Sequence, residues 1–219
     1  MPDLSNRHRI DHSCKEAVCI DAGRIYDSCA DKDCYEDLPC YFTERDQMVI
    51  DRALNVRARK AEVLTTYIDV EPLPFNSGYF TCDLTFFFEV ECEVTTGRNM
   101  PNCTVCGICI VDKKVILYGS EGSVKVFSSE VRTDGSDRQE MPTSNMPKCT
   151  VQVAEPIVLG NRLVDACDWK HRKCGCGAIP DAIASRFGGA FTDPDDGKIF
   201  LVTLGVFCIV QLSRNVQML

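Results

Sequence analysis

The sequence predicts a mainly β protein: an antiparallel, sandwich-like domain of two sheets with little helix and a cysteine-rich, loop-rich N-terminal segment. Three observations predict it. Residues 79–94, YFTCDLTFFFEVECEV, alternate between an apolar parity (Phe80, Cys82, Leu84, Phe86, Phe88, Val90, Cys92, Val94) and a polar one, with Phe87 the exception. That is the pattern of a half-buried antiparallel strand. The last stretch, FLVTLGVFCIVQLSRNVQML, is a second long apolar run rich in β-branched residues. Shorter β-prone runs lie between the two, divided by glycine, proline and polar clusters. Two long strands that each carry an apolar face are buried most simply by packing one sheet on another.

Residues 1–45 form the N-terminal segment, polar and dotted with Cys14, Cys19, Cys29, Cys34 and Cys40. Turns and short elements are expected there. Residues 46–219 form the β-rich domain. Within 48–70 the early part reads as helix and Ala61–Val70, with Val63, Thr65, Thr66, Tyr67 and Ile68, as strand. PLPFNSG then breaks the chain. VDKKVILYGSEGSVKVFSS reads as a hairpin around GSEG. Residues 132–147 are a polar loop, and CTVQVAEPIVLG is a strand pair or one bent strand. A cysteine-rich insertion, 165–198, holds one short helix, IPDAIASRF. TTYIDVEPLPF is echoed by TVQVAEPIVLG, and FTCDLTFFFEV by FLVTLGVFCIV. Either an internal duplication or the common grammar of β-strands produces such an echo.

Charge and composition exclude several classes. The chain of 219 residues has a net charge of −8, which repels nucleic-acid phosphates and anionic lipid. No apolar run is long enough for a membrane helix. MPDLSNRHRIDHSCKEAVCID has no apolar signal core, so synthesis in the cytoplasm without a signal peptide is expected. Fifteen cysteines are unusual for a reducing compartment, and their odd number leaves at least one thiol outside any intramolecular pairing.

Cys103-x2-Cys106-x2-Cys109 is the strongest local metal pattern. A bacterial iron–sulfur run would continue to a fourth cysteine followed by proline. Lys113 and Lys114 stand there instead. Zinc would need a fourth ligand from Cys149, Cys167, Cys174 or His171. The alternative is a strand whose thiols alternate between core and surface. Cys167-x6-Cys174-Gly-Cys176 reads equally as part of a zinc site or as a loop that pairs with another subunit. The acidic CADKDCYEDLPC fails the calcium-loop pattern, because Tyr35, Glu36 and Phe42 occupy positions five, six and twelve counted from Asp31. An acidic, cross-linkable turn is expected there, and a turn at DPDDG, 193–197. Cys82, Cys92 and Cys208 read as buried core thiols. His8, His12 and His171 are the histidines, and no nucleophile, phosphate-loop or dinucleotide motif accompanies them. No enzyme and no cofactor is expected. A cysteine enzyme would show itself by one thiol of unusually low pKa.

VCIDAGRIYDSCADKDCYEDLPCYFT, YIDVEPLPFNSGYFTCDLTFFFEV, DKKVILYGSEGSVKVFSS and the final FLVTLGVFCIVQLSRNVQML resemble a family of cysteine-rich proteins of clostridial spore-formers. The likeness runs from about residue 15 to the end, and YDSCADKDCYEDL is its most specific part. In kind the chain is similar to clostridial cysteine-rich coat and exosporium proteins. That resemblance implies a self-assembling structural protein of the spore surface, made in the mother-cell cytoplasm and partnered by itself or by other layer proteins. It implies locking by intermolecular disulfides once the mother cell lyses. The candidates are Cys14, Cys19, Cys29, Cys34, Cys40, Cys167, Cys174 and Cys176. The other reading is a zinc-binding or redox-sensing cytosolic protein, with Cys103, Cys106, Cys109 and His171 as ligands.

Overall fold

The computed structural model describes residues 18–98, 101–122, 125–126, 143–144, 146–169, 175–193 and 197–218. Its long strands are β1 (Ile20–Cys40), β3 (Asn55–Pro72), β4 (Tyr79–Thr95), β5 (Cys103–Tyr118), β8 (Lys148–Val153), β9 (Ile157–Asp165) and β11 (Lys198–Met218). Short pieces are β2 (Phe42–Thr43), β6 (Lys125–Val126), β7 (Thr143–Ser144) and β10 (Phe191–Thr192), and the helices are α1 (Glu44–Asp51) and α2 (Asp181–Ala184). The mainly β, antiparallel expectation holds. One sheet is ordered β3-β4-β5; in the other β11 is central, with β1 on one side and β8 and β9 on the other.

The apolar parity of β4 lies inside, with Phe80, Cys82, Leu84, Phe86, Phe88, Val90, Cys92 and Val94 all buried. It faces Phe200, Val202, Leu204, Val206, Cys208, Val210 and Leu212 of β11 across one core. The exceptional Phe87 has its own partners on the outer face: Tyr41, Ile108 and Ile110, covered by Ile179 and Ile183. The insertion therefore supplies a lid for this patch, with α2 at its centre. A second part of it, Ala166 with Trp169, covers Ile199 and Leu201 on the outer face of β11.

The N-terminal segment departs from expectation. Instead of turns, β1 is a strand paired antiparallel with β11 from Ile20↔Met218 to Cys40↔Phe200. The boundary at 45 falls inside α1, so residues 20–45 belong to the sandwich. CADKDCYEDLPC is part of this strand, and only its end bulges, between Tyr35 and Leu38. Asp37 adopts a left-handed φ of 53° at that bulge. Its carboxylate accepts two bonds from Arg162, 2.8 and 2.6 Å long. Aspartate disfavours strands in isolation, but pairing along a 21-residue neighbour overrides that local preference.

The helix and strand expected within 48–70 appear as α1 and β3. Thr43 caps α1 by accepting from the Asp46 amide, and Glu44 and Asp46 in the first turn complement the helix dipole. CTVQVAEPIVLG is a bent strand: β8 pairs with 208–213 and β9 with 198–205 of β11. The two halves of the sequence echo thus occupy equivalent places, β3 beside central β4 and β8–β9 beside central β11. Among the described residues the hairpin expected around GSEG is not formed between β5 and β6. Instead β6 pairs with β7, and Arg214 donates to the carbonyls of Ser120 and Gly122. The polar loop 132–147 and the turn at 193–197 lie largely outside the described residues.

The open edges of the sheets meet each other at two seams. At one, β1 runs into β5: Tyr41 and Ile108 exchange backbone bonds of 2.9 and 2.8 Å. At the other, β3 meets β9 through side chains. Asn161 accepts from Ala58 N and donates to Val56 O, at 3.2 and 3.1 Å, and Glu155 accepts from Val63 N at 3.0 Å. Both seams satisfy edge groups that would otherwise invite another strand.

Candidate functional site: the thiols of the sandwich

The described cysteines are all thiols, and the fold sorts them by depth. Cys40, Cys82, Cys92, Cys109 and Cys208 are buried; Cys29, Cys106, Cys149 and Cys176 are half-buried; Cys19, Cys34, Cys103 and Cys167 are exposed. Cys14, Cys174 and His171 lie outside the described residues.

Cys40 corrects an expectation. The sequence puts it with the exposed cross-linking thiols, yet it is 2% exposed. The cause is Gly107, in the middle of VCGIC. A Cβ at Gly107 would stand 2.4 Å from Cys40 Sγ, 2.7 Å from the Phe42 ring and 2.9 Å from the Tyr41 carbonyl. The missing side chain lets the end of β1 cross directly over β5. Beneath that crossing the Cys40 thiol meets those of Cys109 and Cys92. Burial, then hydrogen bonding to these neighbours, pushes the Cys40 thiol well above the ordinary range.

The metal pattern of Cys103, Cys106 and Cys109 is dispersed by β5. Three-residue spacing in a strand turns successive thiols to opposite faces. Cys103 is exposed, Cys109 enters the core, and Cys106 lies on the far face against Glu89. Burial and that carboxylate push Cys106 up to about 11. Among the described residues no group of three or more His, Cys, Asp or Glu side chains is placed to hold a metal ion.

The acidic stretch is explained by β1. Cys29, Asp31, Asp33 and Tyr35 share the inward parity; Ala30, Lys32, Cys34 and Glu36 face out. Asp31 and Asp33 both reach Lys113 of β5, at 2.8 and 2.5 Å, and the Lys113 side chain is only 10% exposed. The lysine that interrupts the iron–sulfur pattern therefore neutralises the carboxylates that invited calcium. Hydrogen bonds from Lys113 and then from Cys29 hold Asp31 below the usual carboxylate range. Desolvation first, and then Asp31, raises the Cys29 thiol.

Cys176 is half-buried, and burial followed by its bond to Asp193 raises its pKa. Asp193 also accepts from the Cys176 amide at 2.9 Å. Cys167 stands at the rim of an open cleft of about 860 Å³ lined by Glu44, Asp51, Asp165 and Asp193. Asp51 there is engaged by the Gln47 amide and the Lys198 backbone N–H, at 2.8 and 2.9 Å.

Spacing did not foretell two further arrangements. One is a row on the outer face of the β11 sheet: Cys34 of β1, Gly205 of β11 and Ile157 of β9 lie in register across three strands. Leu159 leans over Gly205, 3.2 Å from where a Cβ would be, and Phe207 is the next outward residue of β11. Ile157, Leu159 and Phe207 are 65%, 58% and 38% exposed. The other is the approach of Cys149 to Cys82. Cys149 of one sheet packs on the core that holds Cys82 of the other, and the neighbouring Cys82 thiol holds the Cys149 pKa below its ordinary range. Its signal was present in KCTVQV, where Cys149, Val151 and Val153 share the inward parity.

No protein-family model, curated protein or solved structure matches the chain.

Proposed function

We propose that this chain is a structural protein that assembles with copies of itself, and that disulfides between exposed thiols lock the contacts. The observation that carries this reading is the outward row of Cys34, Gly205 and Ile157 with Leu159 and Phe207 beside it. An apolar patch on the flat face of a sheet is a packing surface. A thiol within that patch is brought against a second copy whenever the patches pair. Two such faces related by a two-fold axis would bring Cys34 towards Cys34.

The seams alter how assembly would proceed. Strand edges are engaged with each other inside the molecule, so growth by edge pairing is disfavoured and packing through faces is favoured. Cys19, Cys103 and Cys167, exposed elsewhere on the chain, would supply further links between copies. The spore coat or exosporium as the site of assembly rests on the resemblance to clostridial cysteine-rich proteins. A protein made reduced in the mother cell and oxidised after lysis would use such thiols as late cross-links.

The test is sedimentation and electron microscopy of the purified chain, with and without reductant, beside a count of free thiols. Oxidation should produce boiling-resistant, disulfide-linked species that Cys34→Ser abolishes or shortens, and Leu159→Asp should weaken association even before oxidation. A wild-type chain that stays monomeric at high concentration, with Cys34 still free after oxidation, would overturn the reading.

A further inference from the structure

We propose that Lys113 and Asp33 condense into an isopeptide bond that joins the two sheets of one copy covalently. Lys113 is a charged residue at an inward position of β5. It stands between Val111 and Val115 and opposite Leu84 of β4, all three buried. Asp31 and Asp33 share the inward parity of β1, in the facing sheet, where they pair with Cys208 and Val206 of β11. The Lys113 Nζ lies 2.5 Å from a carboxylate oxygen of Asp33 and 2.8 Å from one of Asp31. One amine in contact with two carboxylates has the parts of an amide-forming centre: a nucleophile, an electrophile and a proton carrier. The bond lies within one copy and is independent of the assembly proposed above.

Burial separates this lysine from others in ion pairs. The Lys60 and Lys114 side chains, beside Glu62 and Asp83, are 63% and 66% exposed, against 10% for Lys113. Little water therefore competes with Asp33 for the Lys113 amine. The second bonds of the two carboxylates assign their roles. The Tyr35 hydroxyl donates at 3.2 Å to the same Asp33 oxygen that touches Lys113. It polarises that carboxyl group and holds the charge that develops on the oxygen. Burial first, and then Asp33, pushes the Tyr35 pKa up to about 12, so the phenol keeps its proton. Asp31 accepts from Lys113 and, at 3.3 Å, from the Cys29 thiol. Those bonds favour its ionised form, the form that takes up a proton.

One ammonium and two carboxylates hold every atom the reaction needs and carry one net negative charge. Asp31 takes a proton from the ammonium and passes it to Asp33, leaving a neutral amine beside a carboxylic acid. The Lys113 nitrogen attacks Asp33 Cγ: a C–N bond forms, and the C=O bond opens onto the oxygen held by Tyr35. Asp31 removes a second proton from nitrogen and delivers it to the other oxygen. That C–O bond breaks, and water leaves. One amide, one water and the Asp31 carboxylate remain, with the same single negative charge, and no oxidant or co-reactant is consumed. Groups held in contact react as though at concentrations on the order of 10⁵–10⁸ M. Burial lowers the Lys113 pKa, but the two carboxylates more than reverse it, so the neutral amine is a minor form and coupling is slow. The ion pair is the state of the freshly folded chain, and the amide is what it matures into.

The experiment keeps the full chain folded under reductant, at neutral pH and physiological temperature, for one week after purification. Intact masses and tryptic maps are taken daily. The expected result is a growing loss of one water, with trypsin no longer cutting after Lys113 and one branched peptide joining Lys113 to Asp33. The branched chain should run ahead of the linear one in a denaturing gel even with reductant, because the bond closes a loop spanning 80 positions. A succinimide at Asp134-Gly135 or Asp196-Gly197 loses the same water, so the branched peptide decides and the mass alone does not. Lys113→Arg keeps the charge without the amine and should stay unbranched, as should the wild-type chain held in guanidinium. Asp31→Asn should keep the junction at Asp33 but slow its formation about 100-fold. A week-old wild-type chain that trypsin still cuts fully after Lys113, a branch at Lys114 or Asp31, or a branch that forms as fast in Asp31→Asn would each overturn the proposal.

Discussion

Along the β1–β5 seam two backbones meet directly, while along the β3–β9 seam side chains stand between them. The first needs a glycine, because only Gly107 leaves room for Cys40 and Phe42 to cross. Its closeness shuts off what lies beneath, and Cys40, Cys92 and Cys109 are sealed there. The second is bridged by Asn161 and Glu155, and β8, which continues the line of β9 along β11, holds Cys149 half open. One side chain thus has two chemistries in one core. The approach of the strands above it decides whether cysteine is sealed as an apolar filler or left within reach of solvent.

The largest test of this contrast is Gly107→Ala. The new methyl would collide with a backbone carbonyl as well as with side chains, so the seam must open. We expect a loss of about 3 kcal/mol in urea unfolding. Cys40 should also become alkylatable in native buffer. Unchanged stability with Cys40 still protected would show that the backbones do not meet as described.

A smaller effect is expected on the other seam. Asn161→Ala removes the acceptor of Ala58 N and the donor to Val56 O. A half-exposed amide bridge of this kind contributes about 1–2 kcal/mol, as chemical denaturation would measure. A cost equal to that of Gly107→Ala would erase the distinction between the seams.

The smallest effect is a pH dependence of the first seam. The folded pKa of Asp31 is depressed, chiefly by Lys113. Its contribution is therefore present above the ordinary aspartate pKa of about 3.9 and is lost as pH falls through the depressed value. Lys113→Met should lower stability at neutral pH and flatten the decline on acidification, the two proteins converging at the acid end. Urea midpoints from pH 7 down to 2 would show it. Parallel acid limbs would remove Lys113 from the account.

How much of this was legible follows from the range of each signal. The β4 and β11 strands could be read because alternation is a local, period-two property, and their apolar parity is the core. The β1 strand could not, because Asp31 and Asp33 look like turn residues until Lys113, some 80 positions away, is placed beside them. Gly107 carries no signal of its own in the sequence. Its meaning depends on Tyr41 crossing Ile108.

The sequence by itself determined a β-rich, two-sheet protein in which Cys82, Cys92 and Cys208 are core residues, because side-chain alternation and burial are written along each strand. Only the tertiary structure decided that Cys40 joins Cys92 and Cys109, that Cys149 packs on the core that holds Cys82, and that Cys34 sits on an apolar face. Those meetings bring together strands far apart in the chain, and cysteine spacing carries no record of which sheets will face each other.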